Sequence, residues 1–296
     1  MIRAGSALLL AACALYFLSF VLQLRPRSVT SGEHVRGWKP FPIRWASVIA
    51  SNAFALHTVG IVLRGWVRGT LPVTNTYESL VFYGWVFVVA TLILRTVLPD
   101  TEKPTEPQAP DRSTIRPTTS VEHLIMLAGR MTPAVLIAIA SSPLVPADVG
   151  PASPALQSHW LWAHVGLVFV GEGFLFVAFV ASVLLLLPGS SRRYSAGRLD
   201  AIAYRAVVIG FPLFTLGGLL FGAIWAKHAW GRYWGWDPKE TLMFVTWLAY
   251  GLYLVLRTRL GWRGRQAAWL CVAGFALALF TFVGANFLMP GLHGYT

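Results

Sequence analysis

The chemically richest stretch of the chain runs Trp230-Gly231-Arg232-Tyr233-Trp234-Gly235-Trp236-Asp237-Pro238-Lys239-Glu240. An aromatic belt at a membrane interface would account for one or two of its tryptophans. It would not account for the interleaved glycines, nor for Asp237, Lys239 and Glu240 crowded beside them. Glycine adds no side-chain bulk, so a flat ligand can approach the backbone closely. Tryptophan offers a rigid apolar face with an N–H donor at its edge. Trp230, Gly231, Trp234, Gly235, Trp236 and Asp237 therefore read as a shelf for a large, flat, mostly apolar molecule. Arg232 and Lys239 could pair with carboxylates of such a ligand, or Lys239 and Asp237 could hold the loop together.

Histidines flank this shelf in the sequence. His164 follows Trp160-Leu161-Trp162-Ala163, and His293 lies in Gly291-Leu292-His293-Gly294-Tyr295. Two imidazoles on either side of a planar shelf suggest axial ligands to haem iron; the alternative is a pair of surface histidines. His57 lies inside an apolar run, where an ionisable group is a functional candidate by default. It could be an intramembrane ligand or a hydrogen-bonded packing residue. Glu172 is two turns beyond His164 on one helix face, either neutral or paired with a base across the bundle. His159, five residues before His164 and about 140° round the helix, faces elsewhere; His228, at the entry to the aromatic loop, could contribute or merely be exposed, and His34 and His123 are given no role. Asn75, Tyr77 and Glu78, in Pro72-Val73-Thr74-Asn75-Thr76-Tyr77-Glu78-Ser79-Leu80, form a second polar motif. Asn75 or Thr76 could cap a helix there, and the motif could also wall the same site.

The elements that position these residues follow from composition. Of 296 residues, 56% are hydrophobic and only 12% charged, and mean hydropathy is +0.60. Soluble domains carry about 25% charged residues, so a soluble protein is excluded. Eight apolar runs occur at about 4–22, 43–63, 77–98, 122–141, 159–187, 206–226, 241–256 and 266–289, most of them near the ~20 residues a spanning helix needs. The seventh is short unless it begins inside the preceding polar motif. The runs lack the two-residue alternation of barrel strands. An all-α polytopic membrane bundle of about eight helices follows. The net charge of +12 does not indicate nucleic acid, because most Lys and Arg fall in alternate stretches between the runs. The positive-inside rule places those stretches in the cytoplasm. Both termini, the tryptophan-rich stretch, His164 and His293 then face outward. Residues 1–296 read as one integral membrane domain, with a Pro- and Thr-rich cytoplasmic linker at 99–120 and a basic loop at 189–200. Cys13 and Cys271 lie in apolar runs, too far apart for a CxxC pair, and read as small buried hydrophobes.

Trp230–Glu240 resembles the tryptophan-rich signature of the haem-handling cytochrome c assembly proteins. Its ending, Trp236–Glu240, is similar to the CcsA (ResC, or CcsB) branch. Asn75–Leu80, Pro154–Trp160 with His164 following, and Gly284–Leu288 leading to His293 match further family motifs, so the resemblance covers roughly residues 50–296. It implies System II cytochrome c maturation in the bacterial plasma membrane. Haem b would be presented at the outer face and attached to the Cys-x-x-Cys-His motif of an apocytochrome c. The work would be shared with a ResB-type membrane partner, with a thioredoxin-like thiol reductant acting indirectly, as part of a cytochrome c synthase (haem lyase) complex. It implies His164 and His293 as haem axial ligands, the loop against the haem, and supporting places for Pro238, Glu240 and the Asn75 motif. A haem transporter or delivery subunit without synthase activity is the alternative. The chain departs from the pattern at Val255, where many relatives carry a histidine, and at Lys227-His228.

Overall fold

The computed structural model describes residues 1–24, 43–97, 121–145, 154–188 and 195–289. The 99–120 linker, residues 189–194 of the 189–200 loop and His293 lie outside the described residues. The elements are α1 (Ile2–Gln23), α2 (Ile43–Arg68), α3 (Thr76–Val97), α4 (Val121–Ala140), α5 (His159–Leu186), α6 (Ala196–Thr215), α7 (Gly222–Trp230), α8 (Pro238–Arg259) and α9 (Arg265–Val283). A π turn, Leu216–Phe221, fuses α6 and α7 into one continuous span, and a second, Gly284–Leu288, follows α9. Eight spans among the described residues are long and apolar enough to cross a membrane. Among those residues there is no strand. Within lipid every backbone polar group must find its partner inside its own element, which helices achieve. The expected all-α membrane bundle is what the chain forms.

Two helix starts differ from the apolar runs, each for a physical reason. The sixth span starts at Ala196 rather than near 206, because Ser195 caps it by accepting from the Arg198 N–H at 3.4 Å. The polar residues of its first turns are also satisfied: both carboxylate oxygens of Asp200 receive the Arg257 guanidinium at 2.6 Å. The seventh span starts at Pro238, inside the aromatic motif, on a cap described below.

The chain divides into two compact units: Met1–Val88 with Met126–Ala152, and Val89–Ile125 with Ser153–Thr296. In the first, α1 contributes Leu9, Ala12 and Tyr16 to a core shared with Ala53 and Ile61 of α2, Tyr77 and Val81 of α3, and Ala134 and Ile137 of α4. The opposite faces, such as Leu10, Phe17, Val48 and Val62, are exposed. Lipid is as apolar as those side chains, so burial alone does not drive helices together; packing and interhelical hydrogen bonds do. Ser19 Oγ donates to the Ala46 carbonyl at 2.6 Å, Trp85 Nε1 to Thr58 Oγ1 at 2.9 Å, and Cys13 Sγ to the Ala134 carbonyl at 3.2 Å.

In the second unit α5 is the central helix, with 67% of its most apolar stretch buried. It meets α6 backbone to backbone. A Cβ added to Gly171 would lie 2.7 Å from Phe214 N, and one added to Gly210 would lie 2.8 Å from the Gly171 carbonyl. Only glycine permits that approach. Trp247 Nε1 of α8 donates to Thr215 Oγ1 of α6 at 3.0 Å. At the other end of α6, Asp200 also accepts from the Gly264 N–H at 2.8 Å, tying the start of α9 to the Arg257 clasp. Cys271 is buried and both cysteines are free thiols.

Candidate functional site

His164 sits in the second turn of α5, whose N-cap is Ser158, accepting from the Trp160 N–H at 3.2 Å. The residue is 8% exposed. Its Nδ1 lies 2.9 Å from the carbonyl oxygen of Gly217, in the π turn. A carbonyl can only accept, so Nδ1 carries the proton, and in the neutral ring the lone pair is then on Nε2. The indole of Trp225 lies parallel to the imidazole, with centroids 5.7 Å apart and planes at 9°. Trp230, the first residue of the aromatic motif, meets Trp225 edge to face at 4.7 Å. The unit thus joins His164 to the tryptophan-rich loop through Trp225.

The loop itself is built by local chemistry. α7 ends at Gly231, whose φ of 77° is the left-handed conformation that glycine adopts without strain. Lys227 Nζ donates to the Gly231 carbonyl at 2.8 Å and lies 5.6 Å from the Tyr233 ring. The departure at Lys227 therefore has a structural role in this chain, and His228 stacks on Trp160 at 5.9 Å. At the far side Asp237 accepts from the Glu240 N–H at 2.8 Å, while Glu240 accepts from Gly235 N–H at 2.7 Å and Asp237 N–H at 3.4 Å. This is a capping box with Pro238 in the first turn, worth roughly 0.5–2 kcal/mol to the start of α8. Asp237, Pro238 and Glu240 are thereby explained as the loop's anchor. Lys239 is half-buried, and the carboxylates whose charges act on it are Glu172 and Asp237. Arg232 is exposed, its guanidinium lying against Gly235, where an added Cβ would come within 2.7 Å of Nε.

Between the two anchors the Tyr233 and Trp236 rings project outward, while Trp234 is half-buried. Trp236 is 66% exposed and holds a φ of 57°, the one positive value outside glycine among the described residues. Such backbone conformations cost about 1–3 kcal/mol and collect at functional sites. Trp234 and Trp236 meet edge to face at 5.8 Å, and both pack on Phe244. Trp234 Nε1 and Trp162 Nε1 are buried donors with no hydrogen-bond acceptor among the described residues.

The other candidates fall in the first unit. Asn75 caps α3 by accepting from the Glu78 N–H at 2.9 Å. Glu78 accepts from Thr74 N–H at 3.1 Å and Thr74 Oγ1 at 2.9 Å, pairs with Arg68 at 2.7 Å and reaches Arg64 at 3.5 Å. Arg64 in turn lies 4.3 Å over the Tyr77 ring. His57 is fully buried, with Nε2 3.0 Å from the Val81 carbonyl and Nδ1 3.5 Å from the Tyr16 hydroxyl. Among the described residues no group of three or more His, Cys, Asp or Glu side chains is arranged to hold a bare metal ion. Trp225, Gly217 and Gly222 are site residues that the spacing of types did not single out, because each reads as filler in an apolar run.

The sequence profile of the family described as "Cytochrome C assembly protein" matches residues 73–293, about three quarters of the chain. The chain is similar to proteins named "Cytochrome c biogenesis protein CcsA". That of Chlamydomonas reinhardtii is 34% identical over 252 residues, which is 81% of this chain but 65% of the relative, just under two thirds of its length. That of Prochlorococcus marinus (strain MIT 9301) is 31% identical over 94% of this chain and 92% of the relative. That of Synechococcus sp. (strain CC9902) is 30% identical over 95% of each.

Proposed function

The chain belongs to the cytochrome c assembly protein family, and from that premise we propose that it handles haem b in System II cytochrome c maturation. It presents haem at the outer face of the plasma membrane, where, with a ResB-type partner, haem is attached to the Cys-x-x-Cys-His motif of an apocytochrome c. The observation that carries this reading is the tautomer of His164, held lone pair on Nε2 against the tryptophan-rich loop of the same unit.

The residues fit haem as substrate. A ligand imidazole donates its second nitrogen to a carbonyl and binds iron through the other, which is the arrangement at His164. His293 supplies the second axial position. The exposed face of Trp236 matches a flat apolar macrocycle. Trp234 Nε1–H and Arg232 offer donors to its carboxylates. Lys239, on which the charges of Glu172 and Asp237 act, belongs with the loop's anchor.

Haem brings vinyl groups, to which the apocytochrome thiols add: a C–S bond forms, the thiol hydrogen ends on carbon, and no electrons are exchanged. The chain's contribution is to hold its cargo still at one height and tilt. Holding the reacting groups together supplies rate by proximity, and a thioredoxin-like reductant keeps the thiols in the reactive state. No side chain here is assigned as a covalent catalyst.

The test is the absorption spectrum of the chain purified with its partner. Sharp low-spin bands should weaken in His164→Ala and in His293→Ala and return on adding imidazole. Undiminished bands in both variants would remove the axial assignment. Haem that binds but is never attached to an apocytochrome by the complex would reduce the function to delivery.

A further inference from the structure

A ligand histidine needs its ring fixed as well as its position in the chain. At His164 two glycines of the α6–α7 span provide this. The Gly217 carbonyl sits in the Leu216–Phe221 π turn. In a regular α-helix such a carbonyl points along the axis to the N–H four residues on. A π turn replaces that bond by one from the N–H five residues on, here Gly222 N–H to the Gly217 carbonyl, which keeps a second lone pair for a side-chain donor, and such turns collect at functional sites. Here the carbonyl receives the His164 Nδ1–H at 2.9 Å. Gly217 also lies so close to α5 that an added Cβ would stand 2.6 Å from Val168 N, which brings the carbonyl within reach of the ring. Gly222, directly after the turn, does the complementary job. A Cβ there would be 3.0 Å from both Cε1 and Nδ1 of His164, and the 9° stack on Trp225 bounds the same ring.

We propose that Gly217 and Gly222 are positioning residues for His164: the carbonyl of the first fixes the tautomer that places the lone pair on Nε2, and the absent side chain of the second leaves the imidazole its seat. The inference rests on the reading of His164 as an iron ligand. Its physical content is that Nδ1–H···O=C makes the imidazole a stronger donor, which binds iron more tightly and favours the ferric state. Gly166, two residues from His164 in α5, is the internal control, because an added Cβ there meets nothing within 4 Å.

The experiment uses the full chain co-purified with its partner and loaded with haem. It compares the parent, His164→Ala, Gly222→Ala, Gly166→Ala and a protein carrying Nδ-methylhistidine at position 164. Haem retention, low-spin bands, imidazole rescue and midpoint potential are recorded for each. Gly222→Ala should hold haem at least about tenfold more weakly, within the 10–100-fold cost of losing an outer partner, and imidazole should restore its bands. Gly166→Ala should match the parent. The Nδ-methyl protein keeps Nε2 and cannot donate to Gly217, so its potential should move to more positive values while the low-spin bands persist. If Gly222→Ala does not fold, the Nδ-methyl protein decides alone. Parent-like retention and potential in the Nδ-methyl protein, with haem lost in His164→Ala, would overturn the positioning role and leave the ligand standing. Parent-like spectra in His164→Ala would overturn the ligand reading, and the positioning role with it.

Discussion

His57 and His164 are the two buried histidines among the described residues, one in each compact unit, and their rings are held in opposite senses. At His57 the Val81 carbonyl takes the Nε2 proton, and the lone pair on Nδ1 faces the Tyr16 hydroxyl. At His164 the Gly217 carbonyl takes the Nδ1 proton, and the lone pair is carried on Nε2. The same contrast runs through the surrounding charges. Glu78 in the first unit is enclosed by Arg68, Arg64 and Thr74, joining the end of α2 to the start of α3. In the second unit Asp237 and Glu240 are drawn into the base of a loop whose Tyr233 and Trp236 rings are left outside. A buried imidazole between a carbonyl and a hydroxyl is an internal bolt; one whose near nitrogen donates to a carbonyl directs its lone pair to the far one.

The comparison breaks most visibly at the ligand. His164→Ala should lower haem retention by more than about 100-fold, beyond what loss of an outer partner costs, with the helical fold intact by circular dichroism. Equal retention in this variant and the parent would erase the distinction between the two histidines. Glu78→Gln should do the reverse. Removing one partner from a buried ion pair costs about 3–5 kcal/mol, so the variant should unfold at markedly lower temperature, and whatever folds should carry haem with parental bands. His57→Phe should be milder: stripping the partner from the Val81 carbonyl and the Tyr16 hydroxyl costs about 1–3 kcal/mol, read as a lowered thermal midpoint at unchanged haem content. Loss of haem bands in His57→Phe at full stability would instead make His57 a ligand. The smallest effect is set for Asp237→Ala, which removes the cap of α8. A stability loss of roughly 0.5–2 kcal/mol should come with a modest fall in haem retention, because the loop's lower anchor loosens while Lys227 still holds the upper one.

Much of this was legible in the residues. The eight spans follow from uniform apolar runs, and the start of α8 is written in Asp237-Pro238-Lys239-Glu240, an acid, a proline and a Glu at capping-box spacing. The early start of α6 is not legible from hydropathy, because Arg198, Asp200 and Arg205 make that stretch look like a loop. Arg257 and the Gly264 N–H, both far along the chain, satisfy Asp200. Nor does spacing distinguish His57 from His164, since both sit in apolar runs; the tautomer is set by a carbonyl from another helix. Trp225 looks like span filler until it is seen parallel to His164. Gly217 and Gly222 look like two more glycines in a membrane helix, because a π turn has no residue pattern that announces it.

That π turn also gives the α6–α7 span a property of phase. Each residue of a helix advances it by about 100° around its axis and only 1.5 Å along it. Gaining or losing one residue between Leu216 and Phe221 is therefore a rotation more than a change of length. It would swing Trp225, Trp230 and the loop beyond them about a quarter-turn or more relative to α6, at almost constant membrane depth. Related chains that differ by a single insertion or deletion in this stretch would present different faces of the same helix to the same histidine. Aligning them by angle, rather than by residue count, would show which of them keep the seat.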